Sequence, residues 1–258
     1  MQESPSPTKV SPLISGGPGV SKSAGPMGHT TGPDLGKSTR GPLGRDLALV
    51  APSVRTSTTA SKTPLEKAVL QAIQLGWLSA FEDAAQKYDF SRELLMAICY
   101  RESRLNPIYL KSPGDNGNAY GIMQIDVRYF GDWVKSGKWH DASECVDMGA
   151  SVLGTKRQEI VGLQNKKTRV YSGKSNKWYD FEGKPISGSD LTRVAVADYN
   201  AGLWGYYCYS TGDDVDRYTT GADYSRWVLL VSDRIKQILS SQQGSQQKGP
   251  FDSIAEFA

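Results

Sequence analysis

A change in sequence character near residue 60 confines any packed core to the remainder of the chain. Eight of the 13 prolines and nine of the 27 glycines of this 258-residue chain fall before residue 61, in a stretch with almost no long apolar run. Loosely repeated units such as Gly17-Pro18, Gly25-Pro26-Met27-Gly28 and Gly41-Pro42-Leu43-Gly44 bury too little side chain to offset the cost of ordering the backbone. Their spacing is not every third residue, so collagen is a poor fit. Residues 1–60 therefore read as a disordered tail, serving either as a plain linker or as a targeting or partner-binding segment. Residues 61–240 are then the folded domain, and 241–258 a polar extension whose apolar groups are Phe251, Ile254 and Phe257.

Charge divides at the same place. Before residue 61 there are six Lys/Arg against three Asp/Glu, and afterwards 24 against 24, so the formal +3 resides in the tail. A neutral folded region gives little support for nucleic-acid binding, which needs a concentrated basic face. The N-terminal Met1-Gln2-Glu3-Ser4-Pro5-Ser6-Pro7 has neither the basic region nor the apolar run of a secretory signal. No later segment is long enough to span a bilayer. A soluble chain without a conventional export signal is the expectation. Cys99, Cys145 and Cys208 lack metal-ligand pair spacing and leave one thiol over in any disulfide scheme, which favours buried thiols.

The folded part reads as helical. Thr63, Pro64 and Glu66 form a capping-box start before the apolar stripe of Leu65, Ala68, Val69, Ile73 and Leu75. A short helix near Ser79 to Tyr88 follows the break at Gly76. Ser91 caps a third helix running to Tyr100 or Glu102, on which Leu95, Ile98, Cys99 and Glu102 recur at offsets of three, four and seven. A carboxyl at the edge of an apolar face is expected to hold its proton more tightly, which suits a proton donor. Further helices are expected from Ser143 to about Ile160, from a cap at Ser189 or Asp190 through Tyr199, and from Tyr224 to Leu239.

Between the third helix and Ser143 lies a polar, glycine-punctuated segment from Lys111 to Asp126. Gly114, Gly117 and Gly121 permit tight backbone paths, and Ile122, Ile125 and Val127 can anchor a short hairpin. The glycine spacing and the Lys-Ser/Thr element of a phosphate loop are missing. Three readings fit: an acidic turn with no catalytic duty, a carboxylate active site, and a calcium loop that lacks the usual ligand spacing. Glycosidic cleavage needs an acid to protonate the departing oxygen and, for inversion, a carboxylate that deprotonates water on the opposite ring face. Glu102 can take the first role and Asp115 or Asp126 the second, with a direct nucleophilic role for either Asp also open. Asn118 and Gln124 can hydrogen-bond sugar hydroxyls or amides, and Tyr120 and Tyr199 can offer ring faces. Trp139-His140 can line a cleft, although His140 has no partner cluster for a metal and can equally cap or pack.

At these residues the chain resembles goose-type lysozyme, within a fold group that also contains soluble lytic transglycosylases. Ala97-Ile98-Cys99-Tyr100-Arg101-Glu102-Ser103 resembles the helix carrying the family's catalytic acid, which maps to Glu102. Asn118-Ala119-Tyr120-Gly121-Ile122-Met123-Gln124-Ile125-Asp126 resembles the next block and brings Asn118, Tyr120, Met123 and Gln124 to the substrate side. Asp115 and Asp126 match the aspartates implicated in handling the attacking water. Ala197-Asp198-Tyr199-Asn200-Ala201-Gly202 resembles a late block that places Tyr199 and Asn200 in the cleft, and Asp223-Tyr224 matches the last cleft-lining segment. The resemblance covers roughly 61–240. It implies an α+β, mainly helical lysozyme-like fold with a small hairpin or irregular β region beside the cleft. The implied activity is a bacteriolytic, inverting muramidase that cuts the beta-1,4 bond between N-acetylmuramic acid and N-acetylglucosamine in peptidoglycan.

The resemblance implies cleavage without a cofactor; charge, segment lengths and ligand spacing add the expectations of no nucleic-acid partner, no stable membrane insertion and no metal, and a monomer is expected. Extracellular action fits the resemblance, yet the signal and disulfides of secreted avian members are missing, as in some fish and invertebrate relatives. The connection from Leu163 to Ser189 is longer than the family pattern and interleaves Lys166, Lys167, Arg169, Tyr171, Lys174, Lys177, Trp178, Tyr179 and Phe181. A solvent-facing insertion with a small hairpin and an extension of a polysaccharide groove both account for it. A lytic transglycosylase, with Glu102 as both acid and base, and a non-catalytic wall-binding or inhibitor-binding module are the alternative functions.

Overall fold

The structure is a computed structural model that describes residues 62–247. The expectations for residues 1–60 and for Phe251, Ile254 and Phe257 lie outside these residues. Eight α-helices and two short antiparallel hairpins follow one another within the described span. This is the mainly helical fold with a small β region that the sequence implied.

Helix α1 (Pro64–Gln74) starts as the sequence dictates. The Thr63 side chain accepts from the Glu66 N–H and the Glu66 carboxylate accepts from the Thr63 N–H, which satisfies two otherwise orphaned donors. Helix α2 (Leu78–Tyr88) buries Ala80, Phe81, Ala84 and Ala85 and stops at Asp89 in the left-handed region. Helix α3 (Arg92–Ser103), capped by Ser91, is the central rod. Leu94 through Tyr100 are all buried, so its core side is not a stripe but nearly the whole circumference. A helix apolar all round must be enclosed, and α2, α5 and α8 pack against this one. It ends in two successive left-handed residues, Arg104 (φ 61°) and Leu105 (φ 54°). Leucine rarely adopts that conformation. Full burial of Leu105 holds it there.

Hairpin β1 (Ala119–Tyr120) and β2 (Ile125–Asp126) comes next, with Ala119 opposite Asp126 and Tyr120 opposite Ile125. Helix α4 (Val127–Lys135) follows at once, and Phe130 breaks its helical geometry at φ −123°, ψ 36°. Val127, Phe130, Trp133 and Val134 recur at helical spacing, but the element is short and broken at Phe130, and no helix was expected there. Helix α5 (Ala142–Leu163) begins one residue before the expected Ser143, because the Asp141 side chain caps it by accepting from the Glu144 N–H. Strands β3 (Lys167–Ser172) and β4 (Lys177–Glu182) form a second hairpin inside the long connection. The Gln164 amide pins its base, donating to the Ile186 carbonyl and accepting from the Ile186 N–H, both at 3.2 Å. Gly183 is required there, since a Cβ would sit 2.2 Å from the Leu163 carbonyl oxygen.

Helix α6 (Gly188–Ala201) starts one or two residues before Ser189 and Asp190, without a side-chain cap bond at Ser187. Helix α7 (Trp204–Thr211) was not anticipated; its run of aromatic residues lacks an amphipathic period. Helix α8 (Tyr224–Gln247) continues past Leu239, across the boundary at residue 240 expected from the sequence. Helix α6 contacts α5, α7 and α8, so the core lies where α3, α5, α6 and α8 meet. Among the described residues no helix is long and apolar enough to cross a membrane.

Candidate active site

Three chain segments converge on Glu102: the C-terminal end of α3, the β1–β2 hairpin and the N-terminal end of α8. Glu102 is half-buried one residue before the end of α3. Its Oε1 accepts a hydrogen bond from the Tyr224 hydroxyl. Tyr224 is 1% exposed, and its phenol is pushed well above the ordinary value of 10.0, first by burial and then by the Glu102 charge. Tyr199 is raised in the same direction for the same two leading reasons. Both phenols therefore stay protonated and act as donors. The Tyr199 hydroxyl donates to the Met123 carbonyl at 3.0 Å, tying α6 to the hairpin turn. The Cys99 thiol donates to the Ile122 carbonyl at 3.4 Å, one helical turn before Glu102, tying α3 to the same turn. The turn is thus held from both sides by groups flanking the acid.

The start of α8 is built with comparable care. Asp216, fully buried, accepts from the Ser225 N–H at 2.7 Å, the Ser225 hydroxyl at 2.8 Å and the Arg226 N–H at 3.2 Å. The Thr219 hydroxyl accepts from the Tyr224 N–H. These bonds satisfy the orphan donors of a helix N-terminus and fix Tyr224 in position. Arg101, beside Glu102 in the chain, has a side chain only 6% exposed. Its Nη2 donates to the Thr220 carbonyl and to Asp223 Oδ1, each at 2.9 Å. Its guanidinium lies 4.8 Å from the Trp227 ring centroid and 5.4 Å from that of Tyr224. Neither Arg101 nor Asp216 was singled out from sequence. The one signal for Arg101 was its place next to the acid, and for Asp216 its spacing ahead of Ser225.

The remaining expected residues fall into two groups. Asn200 Oδ1 accepts from the Thr220 N–H at 2.7 Å, so it joins α6 to the approach to α8. Tyr120 meets Trp139 edge-on at 5.0 Å, and His140 lies against Trp139 at 3.7 Å between ring centroids. His140 Nδ1 donates to the Leu110 carbonyl at 2.7 Å, which fixes the proton on that nitrogen. The His140 ring is exposed and the Trp139 ring buried, giving a wall of one wet and one dry ring.

The second group is occupied otherwise. Met123 is fully buried against Gly149 and presents its carbonyl, not its side chain, to the site. The Gln124 amide turns back to donate to the Gly121 carbonyl at 2.8 Å and packs its Oε1 where a Cβ on Gly114 would stand. Asn118 Nδ2 donates to the Asp115 carbonyl at 3.1 Å, and its own carbonyl accepts from the Val127 N–H at 3.0 Å.

The two aspartates differ in kind. Asp126 is the N-cap of α4, accepting from the Arg128 N–H at 2.8 Å. Its carboxylate is also gripped by the Arg128 guanidinium, at 2.9 and 3.0 Å from Nε and 2.5 Å from Nη2. Such a bidentate, charge-assisted pair fixes the orientation of the carboxylate. Asp115 instead sits exposed at φ 45°, opening a three-residue turn whose next residue, Asn116, is also left-handed at φ 53°. Asp and Asn tolerate that conformation better than most residues. Among the described residues no group of three or more His, Cys, Asp or Glu side chains is arranged to hold a metal.

The Transglycosylase SLT domain family matches residues 79–204, from α2 to the first residue of α7. That span contains Glu102, Asp115, Asp126, Tyr199 and Asn200 and ends before Tyr224. The chain is also 28% identical over 162 residues to lysozyme g of Epinephelus coioides, covering 58% of this chain and 70% of that protein. It is 27% identical over 150 residues to lysozyme g of Takifugu rubripes, covering 57% of this chain and 67% of that protein. These similarities support a place for the chain in the superfamily of lysozyme-like enzymes and lytic transglycosylases.

Proposed function

We propose that the chain is a peptidoglycan hydrolase that cuts the beta-1,4 bond between N-acetylmuramic acid and N-acetylglucosamine, with Glu102 as general acid. The observation that carries this reading is the half-buried Glu102 carboxyl held by the buried Tyr224 phenol at the meeting of α3, α8 and the hairpin. With Oε1 accepting from Tyr224, the proton for the departing sugar oxygen is carried on Oε2. The ionised form left after transfer is stabilised by the same phenol, which eases the forward step. Asp115 is the better placed of the two aspartates to orient water, because Asp126 is engaged by the α4 N-terminus and by Arg128. Action outside the cell, on bacterial walls, belongs to the same proposal.

A second reading, a lytic transglycosylase, is favoured by that engagement of Asp126. If neither aspartate handles water, Glu102 takes the proton back from the muramyl 6-hydroxyl and an anhydro ring closes. Digestion of peptidoglycan in water labelled with heavy oxygen separates the two, with Glu102→Gln as control. Label in reducing muramic-acid ends marks hydrolysis; unlabelled anhydro ends mark transglycosylation. Undiminished cleavage by Glu102→Gln refutes the acid role in both.

A further inference from the structure

The β3–β4 hairpin has two faces, and only one is explained by packing. The alternation of a strand sends Thr168, Val170, Tyr179 and Phe181 inward. Val170 and Phe181 are buried, and Tyr179 and Phe181 meet Trp204, Tyr206 and Tyr207 of α7 edge-on at 5.4 to 6.1 Å. The outward face pairs Lys167 with Glu182, Arg169 with Asp180 and Tyr171 with Trp178. Trp178 is 49% exposed, with the Arg169 guanidinium 4.5 Å from its ring centroid and Tyr171 at 5.1 Å. No core interaction requires a tryptophan there.

Charge marks the same element. Residues 163–189 hold six Lys/Arg against two Asp/Glu, whereas the rest of the chain after residue 60 holds 18 against 22. Lys166, Lys167, Arg169, Lys174, Lys177 and Lys184 are all exposed, and among the described residues none of them forms an ion pair. The base of the hairpin is rigid: Gln164 clamps Ile186, and the Tyr206 hydroxyl donates to the Lys184 carbonyl at 2.8 Å. A positive, aromatic, firmly mounted surface on a domain otherwise in negative excess calls for a ligand that is both ring-bearing and anionic.

We propose that the outer face of this hairpin, centred on Trp178, Arg169 and Tyr171, is a second glycan-binding surface that holds an anionic cell-wall polysaccharide outside the catalytic site. The apolar face of a sugar ring stacks on Trp178, and the surrounding cations pair with carboxylate or phosphate groups along the strand. The strands are about 20 Å long, enough for a short stretch of polymer. This inference rests on the wall-directed reading of the active site for its choice of polymer, but its test does not depend on turnover.

The full chain carrying Glu102→Gln is sedimented with insoluble bacterial walls, with and without acid stripping of their phosphate polymers, and the same substitution is combined with Trp178→Ala, Trp178→Phe or Arg169→Gln. Trp178→Ala and Arg169→Gln are expected to weaken retention roughly tenfold, the scale of one lost stacking contact, and Trp178→Phe to retain most of it. Raised salt weakens retention in the parent. Loss of retention on stripping assigns the anion to phosphate polymers; retention after stripping assigns it to peptidoglycan carboxylates. Cleavage of a short soluble peptidoglycan fragment by the otherwise unaltered Trp178→Ala enzyme stays at the rate of the enzyme with Trp178 intact. Equal retention of all variants overturns the proposal, as does retention of duplex DNA that depends on Trp178 while wall retention does not. If the Glu102→Gln chain binds walls through Trp178 but the chain with Glu102 intact yields no cleaved product, the catalytic reading fails and this one stands.

Discussion

Asp198 offers the sharpest quantitative test of how the core around the active site is built. It is 1% exposed, and its Oδ1 accepts from the N–H groups of Gly205 and Tyr206, at 2.7 and 3.2 Å, at the start of α7. Its Oδ2 is buried with no hydrogen-bond partner among the described residues. Burial raises this carboxyl well above the ordinary 3.8, and the two N–H bonds and the charge of Lys156 oppose the shift without cancelling it. The sign follows from linkage. Below the ordinary value both folded and unfolded chains carry the proton, and the group's contribution to stability is fully present. As pH rises, the unfolded chain ionises first, so stability is lost until the folded carboxyl also ionises at its raised value. The loss is at most about 1.4 kcal/mol per pH unit, one proton's worth.

Asp198→Asn keeps the acceptor oxygen and removes the ionisation. Urea unfolding at successive pH values is expected to show the variant close to the parent at pH 4 and progressively more stable relative to it above that, by up to about 1.4 kcal/mol per unit. Asp198→Ala removes the acceptor and strands two buried donors, at about 1–3 kcal/mol each, so it should be destabilised at every pH. A pH-independent gap between Asp198→Asn and the parent would falsify the claim that burial governs this carboxyl.

Tyr224→Phe removes the donor to Glu102 while keeping the ring, and a hydrogen bond to a charged group is worth about 1.5–3 kcal/mol. Turnover of peptidoglycan should fall by roughly 10- to 100-fold with a shifted pH profile, and an unchanged profile would assign the phenol to packing alone. Asp115→Asn should lower formation of labelled reducing ends far more than Asp126→Asn, because Asn can still cap α4; the reverse order would return the water-handling role to Asp126. Cys145 and Cys208, both pushed up to about 12 by burial, and Cys99, raised further by the same cause, should resist alkylation at pH 8 until denaturant is added. Intact-mass analysis with and without denaturant checks this.

What the sequence revealed about the fold was whatever local chemistry decides. Thr63 and Glu66 made α1 readable because both partners of the capping box lie within one turn. Ser91 and the unbroken apolar run after it made α3 readable for the same reason. Helices α4 and α7 were missed because their stability is borrowed: α4 is kinked at Phe130, and α7 is capped by Asp198, six residues before its start. At the site, the sequence pointed to Glu102 and Tyr224 separately, but not to the bond between residues 122 positions apart. Met123 and Gln124 stood in the right block, yet their side chains serve the core and the turn, a distinction that depends on the contacts of Gly149 and Gly114. Asp198, Asp216 and Arg101 were not singled out because their importance comes from burial, which no residue type announces by itself.

The bond between Tyr224 and Glu102, with Arg101 reaching Thr220 and Asp223, also sets an order of events during synthesis. Helix α3 leaves the ribosome long before α8, the last element among the described residues, so the acid exists for much of translation without the phenol, the Thr220 carbonyl or the Trp227 ring that complete its surroundings. A chain arrested before residue 224 carries Glu102 on a helix with one side open to water. Under the proposed acid role, competence to cut therefore waits for the docking of α8, and a chain cut short before Tyr224 is expected to be silent although it carries Glu102.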